Sequence, residues 1–288
     1  MLRLVRWIWI LLALHLTLGM IAYAHFHVTG RYSLLGWYFG GLGTLFFLVM
    51  TAAEFCLAIM CRSCFDSDEP MRLAWGMIAC AALARLAGTL LRAISDGHLP
   101  WGDWHRLLQP SGSLFVSLSQ LGLVVGGPIS MAFLAVGLGR VLAIQRRFRL
   151  IGSLTRGDQA LLILVVAFSI SQLAINLPLL GKHPSLGTAV LWLSDPLLSL
   201  LLIEAILVRR SVLRMGQGLV AKCWGMFVLA ILITTAGDAG IWADNHNFLS
   251  ASMTALSWYI WFFAAAAFAS APAYQLAAIS LTREAHEH

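Results

Sequence analysis

The chain has 288 residues, 60% of them hydrophobic and only 11% charged, with a mean hydropathy of +0.83. Soluble domains carry about 25% charged residues. The composition therefore excludes an ordinary water-soluble enzyme, a disulfide-stapled secreted domain and a disordered chain. Apolar stretches of about 18 residues or more recur throughout, each long enough to cross a bilayer as a helix, so the sequence reads as an all-α, polytopic membrane protein.

Eight membrane helices are expected near 4–23, 33–60, 71–93, 114–139, 159–179, 186–208, 220–242 and 252–275. The first follows Arg3 and Arg6 and ends in Ala22-Tyr23-Ala24, the outline of a signal peptide. Its apolar run of about 17 residues exceeds the 7–15 of a signal core, so a retained helix is expected. The long connections fall at 94–113 and in the Arg-rich stretch 140–158.

The net charge of +6 and pI of 9.4 read as basic loops held on the cytoplasmic side of a membrane, not as a nucleic-acid footprint. With the N-terminus inside, fourteen cations fall inside: Arg3, Arg6, Arg62, Arg72, Arg140, Arg146, Arg147, Arg149, Arg156, Arg209, Arg210, Arg214, Lys222 and Arg283. Only Arg31, Arg92, Arg106 and Lys182 fall outside. Both termini are thus expected in the cytoplasm, and the membrane is expected to be a bacterial inner membrane.

The chain also repeats. Trp75-Gly76-Met77 recurs as Trp224-Gly225-Met226, and in that register Ala87-Gly88 meets Ala236-Gly237. Glu54 and Glu204 fall within one residue of equivalence. The expected organisation is two tandem four-helix repeats, 1–140 and 158–288, joined by a basic cytoplasmic linker at 141–157 and related by an axis along the membrane normal.

Ionisable side chains inside membrane helices are costly and face the protein interior. Here they are Glu54, Arg85, Asp195, Glu204 and Asp238, with Arg92 and Asp96 near an outer helix end. Arg85, Arg92 and Asp96 share a face of the third helix with Thr89. In the repeat register that face becomes Thr234, Asp238 and Asn245 of the seventh. Opposite charges at near-equivalent positions suggest an ion pair or ligand site made by Arg85 and Asp238, with Arg92 or Asp195 close by. A structural ion pair that fixes helix register is the plainer reading of the same residues. Glu54 and Glu204 could relay protons if they faced each other, although Glu204 could instead snorkel to the interface.

Six of the nine histidines, His25, His27, His98, His105, His183 and His246, gather in expected outer loops. They are weak candidates for a metal; no HxxxH or HExxH spacing organises them, and solvated loop histidines explain them as well. Only His15 lies deep in a helix, so no pair of histidines is available to clamp a haem. Cys56, Cys61 and Cys64 have the C-x4-C-x2-C spacing of a ferredoxin, but one of them lies inside a helix and packing is the simpler role. Gly126-Gly127-Pro128 is the one candidate helix break. No cofactor is implied.

Asp195-Pro196-Leu197-Leu198, Arg209-Arg210, Gly237-Asp238, Trp242, Trp258 and Ala269-Ser270-Ala271-Pro272 together resemble the last three helices of membrane input domains. Such domains are attached to some bacterial diguanylate cyclases and histidine kinases. The resemblance covers about a third of the chain, and the chain departs from it in ending at His288 without an output domain. It implies a non-catalytic sensor or accessory module that binds a small or lipid-soluble ligand and signals to a separate protein partner or a second copy. Two alternatives stay open. A small transporter would use intramembrane charges at a repeat interface, and a lipid-acting enzyme of lysoplasmalogenase type would use the Gly237-Asp238 pair.

Overall fold

A computed structural model describes residues 1–31, 33–96, 114–182, 186–216, 218–245 and 251–287. Among these residues the chain is all-helical, with no strand. We number eight helices: α1 Leu2–Thr29, α2 Ser33–Ser63, α3 Pro70–Asp96, α4 114–147, α5 Arg156–Lys182, α6 Leu186–Met215, α7 Leu219–Asn245 and α8 Ala251–Glu287. Among the described residues, seven helical stretches are long and apolar enough to cross a membrane.

Several helices outrun their expected ends. α1 continues to Thr29, so His25 and His27 sit in its last turns instead of in a loop. It stops at Gly30, whose φ of 66° is the left-handed conformation that glycine adopts without strain, and whose N–H caps the Phe26 carbonyl. α4 continues to Arg147, which places Arg140, Arg146 and Arg147 on a helix and confines the non-helical part of the basic connection to 148–155. α8 runs to Glu287, past its apolar part Tyr259–Thr282.

Two helices contain a wide π turn, α2 at Tyr38–Gly43 and α4 at Val125–Ile129. The second absorbs Pro128, which has no N–H and whose ring would collide with a regular α-helical turn. The Ser130 N–H reaches the carbonyls of Gly127 and Val125 instead. The candidate break at Gly126-Gly127-Pro128 is therefore a widened turn in a continuous helix.

The helices form two compact units. The terminal unit, Met1–Leu57 with Gln217–His288, contains α1, most of α2, α7 and α8. In it α1 buries Val5, Ile8, Leu12, His15, Gly19 and Ala22, a stripe at three- and four-residue spacing, and exposes Trp7, Leu11, Leu14 and Leu18. α8 packs on both α1 and α7 through small residues, with Ala264 to Ala267, Ala269, Ala271 and Ala273 all buried.

The central unit, Ala58–Gly216, contains α3 to α6. α4 packs against α3 and α6, and α5 against α6. α5 is peripheral: Leu161, Ile163, Leu164, Val166, Phe168 and Ile170 are all exposed. Its first turn is fixed by Thr155 and Asp158. The Asp158 carboxylate accepts from the Thr155 N–H and hydroxyl at 2.9 and 2.6 Å, and the Asp158 N–H donates back to that hydroxyl, a reciprocal cap.

Candidate functional site

The expected cations of α3 lean on α4. Arg85 is half-buried, and its Nη1 donates to the buried Ser130 Oγ at 2.8 Å, just past the π turn. One turn on, the Thr89 hydroxyl donates to the Arg85 carbonyl at 2.8 Å. The side chain of Arg92 lies beside Gly122 of α4. Between the two arginines the helices touch backbone to backbone: a Cβ on Gly88 would stand 2.5 Å from the Gly122 carbonyl oxygen and 2.6 Å from Gly126 Cα. Glycines thus bring a guanidinium, two hydroxyls and the π turn into one polar region inside an apolar pair of helices.

α6 flanks the same turn. Ser194, next to Asp195, lies opposite Gly127 of α4, and the Asp195 carbonyl accepts from the Ser199 hydroxyl at 2.9 Å. Asp195 itself is half-buried. Nine residues further along, Glu204 is buried with Oε1 beside Gly139, whose missing side chain leaves the carboxylate its room. Glu204 Oε2 has no hydrogen-bond partner among the described residues.

Asp238 is half-buried on α7, and Glu54 is almost wholly buried on α2. Both belong to the terminal unit, whereas Arg85, Arg92, Asp195 and Glu204 belong to the central one. His25 and His27 are exposed, His27 stacking on Tyr23. His98, His105, His183 and His246 lie outside the described residues. Among the described residues no group of three or more His, Cys, Asp or Glu is placed to hold a metal ion. Cys56 is exposed, Cys61 buried and Cys64 half-buried, so the ferredoxin-like spacing does not bring three ligands together.

The terminal unit holds a second polar centre, built around His15. Its ring stacks on Phe46 at 4.4 Å and meets the edge of Phe262 at 4.3 Å. Nε2 is 2.8 Å from the Tyr38 hydroxyl, which is also 3.1 Å from the His15 carbonyl. A hydroxyl has one proton, so Tyr38 either donates to the carbonyl and accepts from Nε2–H, or donates to Nε2. Tyr259 donates to the Gly19 carbonyl at 2.6 Å. Gly19 is what admits both tyrosines: a Cβ there would collide with the Tyr259 ring and stand 2.5 Å from the Tyr38 oxygen.

Sequence reasoning singled out His15 only as a lone deep histidine. Its partners come from α2 and α8, Tyr38 lying 23 and Phe262 lying 247 residues away, so no local pattern joins them. The usable signal is small: a glycine one turn after a buried histidine, in a chain with few tyrosines. Comparison with protein-family models, curated proteins and solved structures gives no match to this chain.

Proposed function

We propose that the chain is an integral membrane protein, a sensor or accessory module that binds a small or lipid-soluble ligand beside Arg85 and signals to a protein partner or second copy. The observation that carries this reading is the half-buried guanidinium of Arg85, seated on Ser130 at a π turn between two glycine-packed helices. An intramembrane cation beside hydroxyls suits a ligand with a carboxylate, phosphate or carbonyl oxygen turned toward it. π turns of this kind occur frequently at functional sites. The continuity of α4 through Pro128 favours a binding module over a transporter, whose substrate sites use broken helices.

Native mass spectrometry and organic extraction of protein purified in mild detergent test the reading. A small molecule should accompany the wild type and be lost from Arg85→Leu. Identical extracts from both proteins would refute the assignment of the site.

The proposed architecture is two tandem repeats. Trp75 and Trp224 are each the sixth residue of their helix, and both are buried. Gly88 and Gly237 have the same 149-residue separation as the tryptophans (237 − 88 = 224 − 75), and each takes a close approach from the following helix. At Gly88 the approach is α4 backbone and at Gly237 the Trp261 ring. The compact units group the helices differently, because sequence correspondence and packing are separate properties. The proposed topology places both termini and 148–155 in the cytoplasm. In a background without native cysteines, Ser153→Cys should resist an impermeant thiol reagent applied outside intact cells and react after lysis. Labelling in intact cells would reverse the orientation.

A further inference from the structure

The segments 140–158 and 209–214 carry eight arginines and a single carboxylate, Asp158, a balance of +7 (8 − 1). The whole chain carries +6, so the remaining residues sum to −1, with 11 cations and 12 carboxylates. The entire charge surplus stands at one end of the central unit.

Three of these arginines are engaged within the protein. Arg209 and Arg210 flank Asp158 at 3.5 and 3.2 Å, and Arg210 also donates to the Ser153 carbonyl at 2.8 Å. Arg214 donates to the Arg149 carbonyl at 3.2 Å and lies over Gly152. These bonds tie 148–155 to the end of α6. The other five, Arg140, Arg146, Arg147, Arg149 and Arg156, are exposed, and their guanidinium groups meet no acid or acceptor among the described residues. Asp158 cannot neutralise them, because two arginines and Thr155 already occupy it.

We propose that this ordered basic end binds the phosphates of anionic phospholipid headgroups. The inference rests on the membrane reading above, and the depth of the arginines selects lipid over a soluble anion. The apolar span of α4 ends at Arg147 and that of α5 begins at Arg156, so the unpaired groups stand where a span meets the headgroup layer. A guanidinium there forms paired hydrogen bonds to phosphate oxygens, and each cation near an anionic surface strengthens binding about fivefold.

The test uses the full chain with Arg140, Arg146, Arg147 and Arg156 all changed to Gln, and a matching set changed to Lys. Carbonate extraction of membranes comes first: retention in the pellet supports the membrane reading, and release overturns that reading and the lipid site with it. Detergent-purified protein is then titrated with phosphatidylglycerol or phosphatidylcholine, with bound lipids counted by native mass spectrometry. The wild type and the Lys set should prefer phosphatidylglycerol by tenfold or more, and the Gln set should lose that preference while keeping its helical content and melting temperature. Equal binding of the two lipids by the wild type, or an unchanged preference in the Gln set, would overturn the proposal. Displacement of phosphatidylglycerol by millimolar inorganic phosphate would reassign the surface to a soluble anion. Loss from the Gln set of a copurifying acidic protein, with lipid binding intact, would reassign it to that partner.

Discussion

Gly88→Ala should destabilise the protein by about 3 kcal/mol, at the upper end of ordinary overpacking. The added methyl would meet the Gly122 carbonyl oxygen at 2.5 Å and both Cα and N of Gly126 at 2.6 Å. All three are backbone atoms, so no side chain can rotate away, and α3 and α4 must separate. Arg85 lies one turn from Gly88, so separation should also lengthen its bond to Ser130 and weaken retention of the proposed ligand. Gly126→Ala, on the facing helix, is the informative contrast. Its Cβ would sit 3.4 Å from Gly88 Cα, an ordinary contact, and should cost much less. Gly76→Ala, with the Arg62 side chain 3.5 Å away, should be neutral or stabilising by up to about 1 kcal/mol through helix propensity. Thermal midpoints of the three variants in one detergent give the order. Equal midpoints for Gly88→Ala and Gly76→Ala would show that the close crossing does not exist.

His15→Ala should cost about 2–5 kcal/mol, because it empties a buried site between Phe46 and Phe262. Tyr38→Phe should cost about 1–3 kcal/mol, since it leaves a buried ring nitrogen and the His15 carbonyl without the shared hydroxyl. His15→Phe should be the mildest of the three: the ring refills the stack, and Tyr38 keeps the backbone carbonyl as its acceptor. That order, measured by thermal or denaturant unfolding, is the signature of a packing and hydrogen-bond centre. If His15→Phe is instead as damaging as His15→Ala, the imidazole itself carries a role that shape cannot replace.

The helices were legible because apolar runs of membrane length leave little ambiguity, and Arg85 was legible because a cation in such a run is expensive. Helix ends were not. The expected ends stop where the apolar composition stops, whereas α4 carries Arg140, Arg146 and Arg147 in its final turns and α8 extends well past its apolar part. Ser130 could not be chosen from sequence, since one serine in an apolar helix looks like any other until the neighbouring helix supplies a guanidinium. The His15 centre was hidden for a different reason: its partners lie on helices far apart in the chain. Nor does composition alone say that Pro128 widens α4 instead of breaking it, because Gly-Gly-Pro is compatible with either outcome.

Three positions of α4, each four residues from the last, meet α3: Gly122 and Gly126 at Gly88, and Ser130 at Arg85. In a regular α-helix, with its 3.6 residues per turn, a four-residue step overshoots by about 40°, and two steps by about 80°. The wide turn at Val125–Ile129 takes up that phase, so one neighbour can be addressed three times in succession. Removing a single residue from the turn would swing Gly122 about 100° around the axis and point a bulkier side chain at Gly88. The spacing between the glycine contact and the serine contact is therefore a matter of residue count as well as residue kind, and α4 is held in frame by one extra residue.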